Sequence, residues 1–214
     1  MTVSERTIGR LSLYRRILYR YQAEGKTSIY SHDIAQVSTA TPAQVRRDLM
    51  VIGYSGSPNR GYRISDLITS IGDFLDAPGG QNAVLFGVGN LGRALLAYFA
   101  GRRPKLSIVA AFDVVPERVD RVVYGCHCYA VDEFPEFAKR ENVGVGVIAV
   151  PADAAQNVAG LLVRSGVHGI LNFAPASLNT PPDVYVQDMD VAVALEKVAF
   201  FARNKAPELQ RTEG

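Results

Sequence analysis

Six residues near the middle of the chain, Gly87-Val88-Gly89-Asn90-Leu91-Gly92, form the pattern G-x-G-x-x-G, which can cradle a pyrophosphate. The first glycine permits a tight turn, the second lets the backbone approach the phosphates, and the third lets a helix pack closely on a strand. The start of that helix adds unpaired N–H groups, which favour anions. Asp113 stands 21 residues after Gly92, about where a carboxylate accepts hydrogen bonds from an adenosine ribose. Because Asp113 would repel the 2′-phosphate of NADP, the sequence predicts an NAD site.

The residues around this pattern supply the elements that a dinucleotide site needs. Ala83-Val84-Leu85-Phe86 is apolar at every position, which is typical of a buried strand in a parallel sheet. Arg93–Phe99 favours a helix, and Ser107–Phe112 is a second apolar strand that ends at Asp113. A lone G-x-G-x-x-G is a weak signal. A strand, a glycine turn, a helix, a second strand and a terminal acid in this order make the prediction specific.

Strand and helix patterns continue to alternate after Asp113. Repeated units of this kind predict a parallel, doubly wound sheet of the Rossmann type, whose ligands lie beyond the carboxyl ends of the strands. At those ends we expect Val114, Val150-Pro151 and Asn172-Phe173-Ala174-Pro175 to border the cofactor, the last two segments beside the nicotinamide. The predicted strands are 128–131, 143–150, 168–173 and 184–186, and the predicted helices are 132–139, capped by Asp132, and 153–165.

The first 76 residues predict a winged helix-turn-helix domain. Apolar residues recur at helical spacing over residues 4–24, and Arg16 and Arg20 lie on the opposite side of that helix. A second, short helix follows, capped by Ser31 or Asp33. The apolar positions of the first helix are Ile8, Leu11, Tyr14, Leu18 and Tyr21.

The third helix is the predicted DNA-recognition helix. It opens at Thr41-Pro42-Ala43-Gln44 with a capping box and a proline at the first helical position. Ala43 and Arg47 face outward and Gln44 and Arg46 flank them, so these side chains would lie nearest to base edges and phosphates in a major groove. Residues 54–64 contain the turn residues of a hairpin tip, where Arg60 would suit a narrow minor groove.

Charge supports this interpretation of the N-terminal segment. Residues 1–63 carry 10 Lys/Arg against 4 Asp/Glu, whereas residues 64–214 carry 13 against 17. A basic segment on a mildly acidic remainder favours a nucleic-acid contact at one end. The alternative is a helical protein–protein module whose arginines are solvated.

Composition limits the remaining classes. The chain is 48% hydrophobic and 21% charged, as expected of a globular protein, and no apolar stretch approaches a membrane helix. The two cysteines imply no disulfide framework, so a cytoplasmic location is expected. Cys126-His127-Cys128 resembles part of a metal site but has no matching second pair, and we expect a structural role for both cysteines.

The C-terminal segment predicts a helix that is apolar on nearly all sides, beginning after Asp190. Such a helix must be buried, yet it follows a sheet that is already complete. We therefore expect it to pack against a second copy of the chain, the alternative being that it folds onto its own domain. The predicted domains are 1–78, 79–187 and 188–214.

The arrangement favours a sensor over an enzyme. A nicotinamide dehydrogenase needs a substrate domain and a group that transfers protons beside the nicotinamide. About 25 residues follow the sheet, and none is an obvious general base. An oxidoreductase with a fused regulatory module is the alternative.

Over essentially its whole length the chain resembles the Rex family of bacterial redox-sensing transcriptional repressors. The glycine pattern alone would not distinguish this family, but the several matching segments together are specific. They are Arg10-Leu11 with Tyr14, Gln44-Val45-Arg46-Arg47-Asp48-Leu49, Gly61-Tyr62, Phe86–Gly92, Phe112-Asp113, Asn172-Phe173-Ala174-Pro175 and the Asp190 helix.

The resemblance implies a homodimer with exchanged C-terminal helices that binds an inverted-repeat operator. It also implies that NADH weakens DNA binding while NAD⁺ permits it. Matching positions imply a switch that links Tyr98, beside the nicotinamide, with Arg16 on the first helix and with Asp190 of the other subunit.

Overall fold

The computed structural model describes residues 3–56, 61–101 and 105–204, which fall into two compact units, Met1–Gly79 and Gly80–Gly214. The first unit is mostly helical, and the second is built on a seven-stranded sheet. Among the described residues, no helix is both long enough and apolar enough to cross a membrane. The elements of the first unit are α1 (Glu5–Ala23), β1 (Ser28–Ile29), α2 (Ser31–Gln36), α3 (Pro42–Val51), β2 (Tyr62–Arg63) and α4 (Ile64–Leu75).

Two helices of the first unit, α1 and α3, begin directly after a residue whose side chain caps them. The side chain of Ser4 accepts the Thr7 N–H at 3.2 Å, and the side chain of Thr41 accepts the Gln44 N–H at 3.2 Å. Pro42 at the first position of α3 loses no helical hydrogen bond, since that N–H has no partner inside a helix. The helices enclose one core of fully buried side chains, which include Leu11, Tyr14, Leu18, Ile34, Val45, Leu49, Leu67 and Ile71.

The small sheet of this unit differs from the predicted hairpin. β2 pairs antiparallel with β1, which precedes α2, and not with residues 54–56, which are not strand. Gly61 makes this close approach possible: its φ is +66°, and a Cβ there would lie 2.5 Å from the carbonyl oxygen of Ile29. The predicted tip residue Arg60 lies outside the described residues.

The second unit has the sheet order β5-β6-β4-β3-β7-β8-β9, and β5 is its antiparallel strand. The chain leaves β3 towards β4 on one side and returns to β7 on the other, so the direction of winding switches between β3 and β7. The elements are β3 (Gln81–Phe86), α5 (Asn90–Phe99), β4 (Leu106–Asp113), β5 (Arg121–Val123), β6 (Cys126–Ala130), a 3₁₀ turn (Val131–Glu133), α6 (Phe134–Glu141), β7 (Val143–Ile148), α7 (Ala152–Arg164), β8 (Gly169–Asn172), β9 (Tyr185–Asp188) and α8 (Val191–Asn204).

Two local predictions about the second unit are wrong. The strand predicted at 128–131 starts at Cys126, because it pairs with β5 across a turn at Tyr124-Gly125. Both turn residues have positive φ, 51° and 79°, the geometry of a tight two-residue hairpin. Asp132 does not cap a helix; it lies in the 3₁₀ turn that precedes α6.

The core of the second unit lies on both faces of the sheet. Phe86, Phe112 and Phe134 are fully buried and contact one another, with ring centroids 5.0–5.1 Å apart. On the other face Leu85, Val88 and Leu96 pack with Cys126 and Cys128. These two layers hold β3, β4 and β7 side by side and so determine where their carboxyl ends meet.

Candidate functional site

A cavity of about 840 Å³ lies at the carboxyl ends of β3, β4, β7 and β8, where the direction of winding switches. This is the position at which doubly wound sheets bind ligands. Its lining is largely apolar with a few polar groups, which is typical of a cofactor site. The lining residues include Gly87, Gly89, Asn90, Leu91, Asp113, Val114, Val115, Arg118, Val150, Pro151, Asn157, Leu161, Arg164, Phe173 and Pro175.

The first and third glycines of the pattern are required by the fold itself. Gly87 has φ +94°, and a Cβ there would lie 2.5 Å from the carbonyl oxygen of Ala149. A Cβ at Gly92 would collide with the carbonyl oxygen of Gly87, so only glycine lets α5 start this close to the loop. Gly92 itself is buried and is not among the lining residues.

The second glycine is not required by the fold, and its absence of a side chain matters for the cavity instead. Gly89 lines the cavity, its φ is −73°, and no atom of the described chain lies within 4 Å of where its Cβ would be. The fold therefore leaves open space at Gly89 that a side chain would occupy. Asn90 and Leu91 follow in the first turn of α5, where backbone N–H groups have no intrahelical partner. Open space beside such N–H groups fits a pyrophosphate.

Val88 has another role within the same loop. Its side chain is 2% exposed and belongs to the core, and its N–H donates to Asp113 Oδ2 at 2.6 Å. Val88 is not among the lining residues, so it holds the loop against β4 and offers no group to a ligand. One N–H group of the motif thus binds Asp113 of the protein and is not free for a ligand.

Asp113 lies in the cavity wall, but its carboxylate is not available in the way the sequence predicts. The residue is 4% exposed, and its oxygens accept the N–H groups of Val88 and Val115 (2.9 Å) and the guanidinium of Arg118 (3.1 Å). Burial raises the pKa of Asp113, but these donors together outweigh it and hold the pKa below its usual range. A carboxylate already satisfied by three donors has little capacity left for a ribose.

The rim of the cavity beyond Asp113 carries the predicted Val114 together with Val115 and two arginines that were not predicted. Val114 is 79% exposed, Val115 is half-buried, and Arg118, with its side chain 44% exposed, reaches back to Asp113. Arg164, at the end of α7, also lines the cavity. An arginine five residues after the terminal acid is a signal that a search for carboxylates alone overlooks.

The segments predicted beside the nicotinamide divide into lining and supporting residues. Val150, Pro151, Phe173 and Pro175 line the cavity. Asn172 does not; it is 1% exposed. Its amide nitrogen donates to the Ala176 carbonyl (2.9 Å) and to Asp188 (2.8 Å), and its amide oxygen accepts the N–H of Ala174 (3.0 Å). Ala174 is also buried. Both residues shape the loop that carries Phe173 and Pro175.

The three predicted switch residues lie on separate elements. Tyr98 is 54% exposed near the end of α5 and is not among the lining residues of the cavity. Asp190 precedes α8 and accepts the N–H of Val193 at 2.9 Å, so within its own chain it caps that helix. Arg16 is exposed on α1, in the other unit.

Both cysteines are buried free thiols on β6. Burial raises the pKa of Cys126 and of Cys128 to about 11. Such thiols are protonated at neutral pH and pack as small apolar side chains.

In the first unit, α3 is anchored to α1 by a buried ion pair. Asp48 is 1% exposed and accepts two hydrogen bonds from Arg10, at 2.6 and 2.7 Å, and one from the Tyr14 hydroxyl at 3.0 Å. Burial raises the pKa of Asp48, but the hydrogen bonds from Arg10, Gln44 and Tyr14 outweigh it and lower the pKa below its usual range. The orientation of α3 on α1 is therefore set by a charge pair as well as by apolar packing.

The predicted DNA-contacting side chains are connected to this anchor. Gln44 donates to Asp48 at 2.9 Å and accepts from Arg47 at 3.1 Å, so its amide is used within the protein. Arg46 donates to Ser31 at 3.0 Å across the gap to α2. Ala43 and Arg47 are exposed, as predicted from the helical pattern. Gln44 is thus better placed to orient Arg47 than to read a base.

A second concavity, of about 640 Å³, lies between the N-terminal half of α1 and the start of α3. Arg6, Arg10 and Arg47 contribute to its lining, together with Thr41, the residue that precedes α3. Arginines beside a helix N-terminus suit a phosphate group. Arg6 was not among the predicted DNA-contacting residues, although its spacing of four residues from Arg10 places both arginines on one face of α1.

Comparisons with known proteins agree with both units. Residues 80–176 match a family model described as a CoA binding domain, and residues 2–49 match one described as "Putative DNA-binding protein N-terminus". A redox-sensing transcriptional repressor Rex of Desulforamulus reducens is 39% identical over 200 residues, which cover 94% of this chain and 95% of that protein.

Solved structures give the same picture. RSP, a Rex-family repressor, in complex with β-NAD⁺ and operator DNA, matches with a TM-score of 0.86 at 27% identity, covering 95% of this chain and 94% of that one. RSP in complex with β-NADH matches with a TM-score of 0.82 at 26% identity, covering 95% and 96%. The predicted fold class, a DNA-binding N-terminal domain followed by a Rossmann-type sheet, is confirmed.

Proposed function

This chain belongs to the Rex family of redox-sensing transcriptional repressors, and we propose that it binds an inverted-repeat operator as a homodimer and leaves the DNA when NADH binds. The observation that carries the proposal is the combination, in one chain, of a cavity beside the glycine loop and the start of α5 and of a basic helix-turn-helix unit. The repressor RSP has been captured both with NAD⁺ on operator DNA and with NADH, which supports the same pair of ligands here.

The DNA contact is assigned to the start of α3 and the adjoining half of α1. Arg47 and Ala43 would face the major groove, with Arg46 at the flank, and Arg60, which lies outside the described residues, would contact the minor groove. Gln44 and Asp48 hold Arg47 in place, and Arg6 adds a phosphate contact. Phosphate contacts position the protein, and the groove-facing side chains supply sequence preference.

The dinucleotide is assigned to the cavity at the switch of winding. Its pyrophosphate would lie beside Gly89 and the first turn of α5, and its nicotinamide would lie between Val150-Pro151 and the loop of Phe173 and Pro175. Gly87 lines the site and permits the turn of its loop, and the buried residues Gly92, Val88, Asn172 and Ala174 support the site from behind. When bound, the dinucleotide supplies a ring whose positive charge is lost on reduction.

This chain is proposed to read that change without catalysing it. The ionisable side chains among the described lining residues are Asp113, Arg118 and Arg164, and Asp113 is already satisfied by three protein donors. Arginine does not release its proton in proteins, and Asp113, at the end of β4, is separated by β3 and β7 from β8 and the loop of Phe173. The arrangement therefore suits a receptor better than an oxidoreductase.

The switch is proposed to link Tyr98, Arg16 and the partner's copy of the α8 N-terminus, where Asp190 stands. NADH and NAD⁺ differ in the charge and pucker of one ring, so the groups around that ring must favour one dimer geometry with NADH and another with NAD⁺. Reciprocity requires that operator binding then favour NADH release. Moving the population from mostly bound to mostly free takes about 5.5 kcal/mol of differential affinity, shared between two cofactors.

The homodimer is proposed to form through α8. Described side chains of this helix are exposed in the single chain although most are apolar, which isolated globular proteins rarely tolerate. Changing Leu195 and Val198 together to Glu should give a monomer in sedimentation equilibrium, whereas Lys197→Glu on the same helix should leave a dimer. The exposed apolar residues are Val191, Val193, Leu195, Val198, Phe200 and Phe201.

One titration tests the proposed function. Purified protein is bound to labelled palindromic DNA, and NADH or NAD⁺ is added; NADH should release the DNA at concentrations at which NAD⁺ does not. Arg47→Ala should weaken DNA binding by about tenfold or more and leave NADH affinity intact, while Lys139→Ala, an exposed cation of the other unit, should change neither. If neither nucleotide changes DNA affinity, the chain is not a redox sensor.

A further inference from the structure

Helix α1 carries two arginines that reach carboxylates on other elements. Arg10, in its first half, binds Asp48 of α3 through hydrogen bonds of 2.6 and 2.7 Å. Arg15, in its middle, binds Asp76 through Nη1, which donates to both carboxylate oxygens at 2.7 and 2.8 Å. Asp76 is the residue directly after α4. One helix is therefore tied by charge both to the recognition helix and to the end of α4.

The pair of Arg15 and Asp76 lies where the chain leaves the first unit. Its side chains are 11% and 22% exposed, so most of the contact is shielded from water. Four residues, Ala77-Pro78-Gly79-Gly80, separate Asp76 from the first residue of β3 in the second unit. These four residues are the linker between the units. A displacement of β3 acts first on this linker and on the residue that precedes it.

The last turn of α4 has weak support from its own sequence. Gly72 lies in this turn, and glycine weakens a helix relative to alanine. Asp73 and Asp76 place negative charge at the C-terminal end, where the helix dipole disfavours it, and the last turn contains no basic residue. Arg15 supplies the missing positive charge from α1. The ion pair therefore keeps the end of α4, and with it the start of the linker, against α1.

A contribution to stability alone does not account for this pair. The Nε of Arg15 is buried and has no hydrogen-bond partner among the described residues. An unpaired buried N–H costs free energy, and a buried ion pair gains little net stability over apolar packing. The pair matters more for the position of the end of α4 than for the stability of the unit.

We propose that Arg15 and Asp76 are positioning residues that couple the cofactor to DNA binding by clamping the start of the linker to α1. The inference rests on the proposed function and deepens it, because it names residues that set how strongly NADH weakens operator binding. Neither residue lines the dinucleotide cavity or the concavity between α1 and α3. Arg16, the next residue on α1, is exposed, so the clamp is separate from the proposed switch contact.

The clamp acts through the two ion pairs of α1 in series. While Arg15 holds Asp76, a displacement of the linker moves α1, and α1 moves α3 through Arg10 and Asp48. Without the clamp, the last turn of α4 loosens and the two glycines of the linker absorb the displacement, since glycine has wide backbone freedom. The recognition helix then responds less to the cofactor although both binding sites are intact.

The test measures a coupling ratio, the operator Kd with saturating NADH divided by the operator Kd without nucleotide. Asp76→Asn keeps the size of the side chain and removes its charge, and it should lower this ratio by about 3- to 30-fold. The NADH Kd measured without DNA should be unchanged, because the pair lies outside the cavity. Arg20→Ala removes an exposed arginine from the same helix and should leave the ratio unchanged.

Exchanging the two charges assigns the effect to the pair. Arg15→Asp and Asp76→Arg should each lower the ratio alone and should restore it together; a combined variant as poor as the single ones overturns the inference. An Asp76→Asn protein with the unmodified ratio overturns it and leaves the proposed function standing. Loss of operator binding by Asp76→Asn without nucleotide also overturns it, since that result shows a purely structural role. If NADH does not affect operator binding by the unmodified chain, the proposed function fails and the clamp with it.

Discussion

Replacing Gly89 with alanine should separate cofactor binding from folding. A Cβ at this position meets no atom of the described chain within 4 Å, and its φ of −73° suits any L-residue. The added methyl group would fill only the open space of the cavity, where a pyrophosphate must approach the backbone.

The two effects of Gly89→Ala have opposite signs. Removing a glycine at a compatible φ stabilises a protein by about 0.4–1 kcal/mol through the unfolded chain. Forcing a methyl group into space that the bound dinucleotide needs costs about 1–3 kcal/mol of binding free energy. That corresponds to NADH affinity that is weaker by about 5- to 150-fold. The variant should therefore be at least as stable as the unmodified chain and yet respond poorly to NADH.

Thermal unfolding without nucleotide and NADH titration by fluorescence measure the two effects separately. Gly79→Ala is the matched control, since its Cβ also meets open space but lies outside the cavity, and it should leave NADH affinity unchanged. Gly92→Ala is the contrasting variant. Its Cβ would collide with the Gly87 carbonyl, so it should lower stability as well as affinity. Unchanged NADH affinity in a stable Gly89→Ala protein would refute the placement of the pyrophosphate.

Three other predictions concern buried groups inside one unit or the other. Asp48→Ala leaves Arg10 and the Tyr14 hydroxyl without their partner, so it should lower the free energy of unfolding by about 2–4 kcal/mol and weaken operator binding. Asp66→Ala, which removes exposed contacts with Arg63 and the Ser65 hydroxyl, is the control and should cost about 0.5 kcal/mol or less in the same urea titration. The pKa of Asp113 is lower in the folded protein than in the unfolded chain. The ionised carboxylate therefore stabilises the fold above the pKa of the unfolded chain, and this contribution is lost as the pH falls through the pKa of the folded protein. Urea titrations between about pH 5 and pH 2 should therefore show a smaller loss of stability in Asp113→Asn than in the unmodified protein, and equal losses would contradict the assignment. Because burial raises the pKa of Cys126 and Cys128 to about 11, alkylation by iodoacetamide at neutral pH should be at least about 100-fold slower in the folded protein than in urea; comparable rates would show that the thiols are accessible.

Much of the DNA-binding unit was predictable from local signals. The capping residues Ser4 and Thr41 begin α1 and α3, and helical spacing separates the buried Val45 and Leu49 from the exposed Arg47. These signals act within a few residues, so they survive without knowledge of the fold. The pairing of β2 with β1 is different, because it joins segments more than 30 residues apart that are only two residues long. No periodicity can be read from two residues.

For the dinucleotide site, the sequence determined the glycine turn, the order of strands and helices and the general position of the cavity, because each depends on residue type and short spacing. Which hydrogen-bonding groups remain free for a ligand depends on contacts between distant segments. Asp113 is bound by the glycine loop 25 residues earlier, and Asn172 by β9. Only the tertiary structure decides this, since hydrogen-bonding capacity spent inside the protein cannot be offered to a ligand. Thus Asp113, from which the sequence predicts NAD, is hydrogen-bonded to Arg118 and to the glycine loop in the folded protein.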